Sequence, residues 1–101
     1  MTAWSIDILR KRDGKFTLCV LTQPDDRFET AEISSTERAV VASAIQKLAR
    51  RLGRPDVIHT DHARVWSGLP AVVGASHRIC SPAVQTRLSL LERRMRGEDR
   101  A

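Results

Sequence analysis

Residues 4–33 carry three strand-like runs divided by two strong turn signals, and a secure helix follows them directly. Trp4 to Leu9 alternates apolar and polar residues, Asp13-Gly14 marks a hairpin turn, and Lys15 to Thr22 is rich in Phe, Val, Leu and Thr. The first two strands are therefore expected as antiparallel neighbours. Gln23-Pro24-Asp25-Asp26 supplies the next turn. Beyond it, Arg27 to Ile33 sets Phe28, Thr30 and Glu32 on one side and Glu29, Ala31 and Ile33 on the other. A three-stranded antiparallel meander results, with the third strand at an edge.

Ser34 and Glu37 fit a capping box, which predicts a helix starting at that point. Val41, Ala44, Ile45, Leu48 and Leu52 recur at helical spacing, and Gly53 followed by Pro55 stops the helix. Asp56 to Thr60 then reads as a short strand, parallel to the first because a helix intervenes. Residues 63–75 suit a short helix interrupted by Gly68 and Pro70, and His77 to Cys80 a fifth strand. Ser81-Pro82 places an N-cap and a first-turn proline before a final helix. Its apolar stripe is Val84, Leu88, Leu91 and Met95, and Gly97 to Ala101 is polar enough to fray.

The 101 residues suffice for one domain with a single modest core. No apolar run approaches the roughly 20 residues of a membrane span, and the N-terminus lacks a signal-peptide pattern. A cytoplasmic or nucleoid-associated protein is expected. Cys19 and Cys80 lie in apolar segments without C-x-x-C spacing, so they read as buried free thiols. A net charge of +5 suits a polyanionic partner. The basic clusters Arg10-Lys11-Arg12, Arg50-Arg51 with Arg54, and Arg93-Arg94 with Arg96 are equally readable as solvated ends of elements.

Three acidic residues stand out. Asp7 interrupts a strand-like run, where a carboxylate is costly to bury unless paired or bound to a cation. Asp61 ends the fourth strand, the usual place for functional groups beside parallel strands. Glu92 borders the stripe of the last helix, four residues past Leu88. A meander followed by alternating helices and strands is the layout of the ribonuclease H-like fold, which sets the first and fourth strands side by side. Asp7 and Asp61 are then expected to be near neighbours.

Local sequence around these acids resembles one family. Trp4-Ser5-Ile6-Asp7-Ile8 looks like the W-x-x-D strand that opens the catalytic core of DDE-type transposases and retroviral-type integrases. Arg54 to Asp61 is similar to the segment delivering the second catalytic aspartate there, with Trp66 where the family commonly has an aromatic. Ser81-Pro82-Ala83-Val84-Gln85-Thr86 and then Glu92-Arg93-Arg94 resemble the helix carrying the glutamate. The chain departs from the pattern at Ala63, where the family usually has glycine, and at Thr86-Arg87-Leu88, where a glycine usually precedes the glutamate.

The resemblance implies a single α/β domain over residues 1–101: a ribonuclease H-like, five-stranded mixed sheet of meander plus parallel strands, flanked by helices. It further implies metal-dependent phosphodiester cleavage and strand transfer on DNA, by a homodimer or higher oligomer. Asp7, Asp61 and Glu92 would hold two Mg²⁺ or Mn²⁺ ions, Asp7 bridging them. Hard oxygen ligands suit those ions, and a pair about 3.5–4 Å apart supports in-line phosphoryl displacement. Arg93, Arg94 and His62 are the candidate DNA contacts. His59 and His62 flank Asp61 but offer too few features for a zinc site. Competing expectations are a stand-alone ribonuclease H-like nuclease and a catalytically impaired remnant serving as a DNA-binding or dimerisation module.

Overall fold

The computed structural model describes residues 1–96, so the fraying expected for Gly97 to Ala101 lies outside the described residues. Strands β1 (Ala3–Arg10), β2 (Phe16–Gln23) and β3 (Phe28–Ile33) precede helix α1 (Arg38–Leu52). Strands β4 (Val57–Thr60) and β5 (Ser76–Ile79) and helix α2 (Pro82–Arg96) complete the order. The five strands form one sheet in the order β3-β2-β1-β4-β5. β1 pairs antiparallel with β2 over its whole length, from Ala3 opposite Gln23 to Arg10 opposite Phe16. It pairs parallel with β4, Ser5 lying opposite His59, and β4 in turn pairs parallel with β5. The meander, the third-strand edge and the parallel fourth strand all match the sequence pattern.

Alternation along the central strands divides the side chains between two layers. Trp4 and Ile6 of β1, Leu18 and Val20 of β2 and Ile58 of β4 meet Val41, Ala44, Ile45, Leu48 and Ala49 of α1 in the larger core. Leu9 of β1 and Cys19 and Leu21 of β2 face the other way and meet Leu88 of α2, with Phe28 and Leu91 at the margin. Asp7 has the parity of Ser5 and Leu9. It therefore lies on the sheet face that α2 covers.

Several local expectations need correction. Helix α1 starts at Arg38, not beside Ser34, and Glu37 is its N-cap without a side-chain capping bond. The competing local contact is Ser35, whose Oγ accepts a hydrogen bond from the Glu37 N–H at 3.2 Å and holds these residues in a turn. The interrupted helix expected over residues 63–75 is instead two 3-10 turns, Arg64–Trp66 and Pro70–Val73. Gly68 at φ +75 and Gly74 at φ +74 take the left-handed conformation that ends each turn. Trp66, Leu69 and Val73 nevertheless reach the larger core. Arg38 ties this segment to α1 through a hydrogen bond to the Ser67 carbonyl.

Helix α2 starts as expected: the Ser81 Oγ accepts from the Val84 N–H at 3.3 Å. Its stripe is shorter than the spacing suggested, because Leu88 is 4 % exposed but Met95 is 41 % exposed. An Arg87–Asp26 ion pair adds a tether between α2 and the β2–β3 turn. Leu88→Ala should cost about 2–4 kcal/mol in urea-denaturation measurements, as buried leucine truncations do. Met95→Ala should stay within about 0.5 kcal/mol, the range of exposed positions.

Candidate active site

Asp7 sits in the middle of β1 beside the edge of α2, and Glu92 approaches it from that helix. Glu92 is 6 % exposed, far more buried than a residue bordering an apolar stripe needs to be. The Asp7 carboxylate accepts the Ile8 N–H at 2.9 Å. Burial holds the Asp7 carboxyl above the ordinary aspartate range, and the charge of Asp61 adds to the rise. A hydrogen bond with Glu92 and the bond from Ile8 partly offset it.

Asp61 lies just beyond the carboxyl end of β4. Its Oδ1 accepts two hydrogen bonds, from the Ala63 N–H and from the Trp66 indole Nε1–H, each at 2.9 Å. Ala63, where a glycine was the family pattern, has φ −66 and ψ 140. Any L-residue adopts that conformation, so the departure introduces no strain. Thr86, the other departure, lies within α2 and returns its hydroxyl to the Pro82 carbonyl at 3.0 Å. No loop exists there for a glycine to shape.

Asp7 and Asp61 line one cavity of about 210 Å³, together with Ile6, Cys80, Gln85, Leu88 and Ser89. Its upper wall is pinned by hydrogen bonds from the Cys80 N–H to the Thr60 carbonyl at 2.8 Å and from the Thr60 hydroxyl to the Asp61 carbonyl at 2.8 Å. Thr60 Oγ1 also lies in hydrogen-bond contact with His77 Nε2 at 2.6 Å. Cys80 is a buried free thiol, as is Cys19. Burial pushes the Cys80 thiol up, a Ser5 hydrogen bond lowers it, and the Asp7 and Asp61 charges raise it. It stays protonated at neutral pH and is no nucleophile.

The carboxylates suit hard divalent cations by donor type, and a cation would relieve both the burial and the repulsion that act on Asp7. Among the described residues, no three His, Cys, Asp or Glu side chains already surround a common point as ligands. Glu92 lies close to Asp7. His62, Arg93 and Arg94 are all exposed. Arg93 borders a shallow depression with Gln85, Thr86 and Ser89, and Gln85 and Ser89 also line the cavity.

No protein-family model matches the chain, and no curated protein sequence matches it. A solved structure does resemble it: a chain in the cryo-EM structure of the simian T-cell lymphotropic virus intasome in complex with PP2A regulatory subunit B56 gamma. The likeness has a TM-score of 0.69 at 17 % identity and covers 90 % of this chain. This chain spans 36 % of the length of that one. The fold is ribonuclease H-like. The order β3-β2-β1-β4-β5, with β1 between an antiparallel and a parallel neighbour, is the sheet that the sequence pattern implied.

Sequence reading missed Gln85 and Ser89 at the cavity. Their spacing to Glu92, four and then three residues, was the available signal: one polar stripe on one helix face. It also missed the Trp66–Asp61 bond, which depends on a 3-10 turn that the sequence did not declare.

Because the folded protein raises the Asp7 pKa, Asp7 favours folding below its unfolded value near 3.9. That contribution is lost as pH rises through the raised folded value. Asp7→Asn should therefore raise the Tm of the metal-free protein at pH 7 by a few degrees. The gain should vanish below about pH 4, in thermal melts followed across the pH range.

Proposed function

We propose that this chain is the catalytic core of a DNA-processing polynucleotidyl transferase of the DDE transposase and integrase kind. The observation that carries this reading is a cavity lined by Asp7 of β1 and Asp61 just past β4 on a ribonuclease H-like sheet, with Glu92 of α2 close to Asp7. The intasome structure supports it through the fold it has in common with this chain.

Asp7, Asp61 and Glu92 would hold two Mg²⁺ or Mn²⁺ ions, which when bound supply an activated water or 3′-hydroxyl and neutralise the leaving oxygen. Asp7, near both of the other acids, would be the one shared by the two ions. Gln85 and Ser89 present uncharged donors along the route from the exposed face of α2 to the cavity. Arg93 and Arg94 carry positive charge on the same helix, suited to a phosphate backbone. DNA is the partner this charge fits. Among the described residues no helix is long and apolar enough to cross a membrane.

The hydrogen bond between Asp7 and Glu92 also favours a second reading, a remnant in which the carboxyl pair is closed and the domain serves only to bind DNA or to dimerise. The two readings diverge in a nicking and strand-transfer assay on duplex DNA with Mg²⁺ or Mn²⁺. The enzyme reading expects cation-dependent product, lowered at least ~100-fold by Asp7→Asn, Asp61→Asn or Glu92→Gln, a larger loss than outer-shell groups usually give. Cleavage without joining would assign a nuclease. DNA binding that survives Asp7→Asn, with no product in either cation, would sink the enzyme reading. Arg93→Ala and Arg94→Ala should each lower the slope of log affinity against log salt by about 1.

A further inference from the structure

Asp61 is unlike Asp7 in how it is held. Both of its hydrogen bonds fall on Oδ1, and both donors belong to the segment just after β4. Among the described residues, none donates to Oδ2. One donor is the indole of Trp66, a side chain 1 % exposed and locked among Leu69, Val73 and the α1 face of the larger core. An indole N–H only donates, so it fixes which carboxylate oxygen is turned inward.

We infer that Trp66 is a positioning residue for Asp61: its indole N–H, with the Ala63 amide, occupies Oδ1 and leaves Oδ2 as the oxygen offered to the cavity shared with Asp7. This rests on the proposed metal-binding role of the acids and extends it to a residue that touches neither ion nor substrate. A buried aromatic that merely filled space would do so as well with a benzene ring as with an indole. The nitrogen is what reaches the carboxylate. The other tryptophan supplies an internal contrast, because Trp4 is equally buried yet its Nε1 has no hydrogen-bond partner among the described residues.

The consequence is readable in the intact chain by ¹⁵N-detected NMR, where the two tryptophans give two indole N–H signals. Titration with Mg²⁺ should move the Trp66 signal and leave the Trp4 signal in place. Asp61→Asn should shift the Trp66 signal before any cation is added and abolish its response to Mg²⁺. Calorimetric titration with Mn²⁺ should then show Trp66→Phe binding roughly tenfold more weakly than the parent, in keeping with the usual loss of an outer-shell partner. Circular dichroism identifies a folded Trp66→Phe, and the wild-type NMR titration decides the matter if that variant does not fold.

Equal Mn²⁺ affinity in a folded Trp66→Phe, or a Trp66 indole signal indifferent to saturating Mg²⁺ in a protein that binds it, overturns the positioning role and leaves the metal site standing. Absence of Mn²⁺ binding in the wild type, unchanged in Asp7→Asn, overturns the metal site and the positioning role with it.

Discussion

The central strand carries the molecule. β1 is hydrogen-bonded on both edges, to β2 and β4, and covered on both faces, by α1 and α2. The buried side chains along it must therefore suit one of two interiors. Trp4 and Ile6 do so by filling the larger core, and Leu9 by filling the smaller. Asp7 fills neither, and a carboxylate in such a place is retained only at a cost to folding. That cost appears as the upward displacement of its pKa. The remainder of the site is arranged around this one unfavourable group: a carboxyl close by on α2, a like charge past β4, and a small cavity that Asp7 and Asp61 line.

Much of this was legible because the relevant signals are local. Turn residues and alternation define the meander, and period-two parity decides which face Asp7 takes. The parallel placement of β4 follows from connectivity alone, and with it the approach of Asp61 to Asp7. What sequence could not declare depended on competition between nearby contacts. Ser34 and Glu37 have the composition of a cap, but Ser35 captures the Glu37 amide and α1 begins later. Gly68, Pro70 and Gly74 break residues 63–75 into turns too tight for a helix.

The nearness of Asp7 and Asp61 was legible, since both line one cavity, but no periodicity could say that Glu92 would be almost fully buried. Helical spacing likewise overreached at Met95: repetition specifies a stripe but not the length of sheet beneath it. The glycine departures at Ala63 and Thr86, alarming in a linear comparison, prove harmless in conformations open to any residue.

The smaller core has a further implication for how the site is assembled. Among the described residues, Leu88, with Leu91 at the margin, joins α2 to the second face of the sheet through apolar contact, and the Arg87–Asp26 pair is solvent-exposed. Elements so lightly held belong to the low-stability end of a fold. Opening of α2 would carry Glu92 away while Asp7 and Asp61 stay with the sheet.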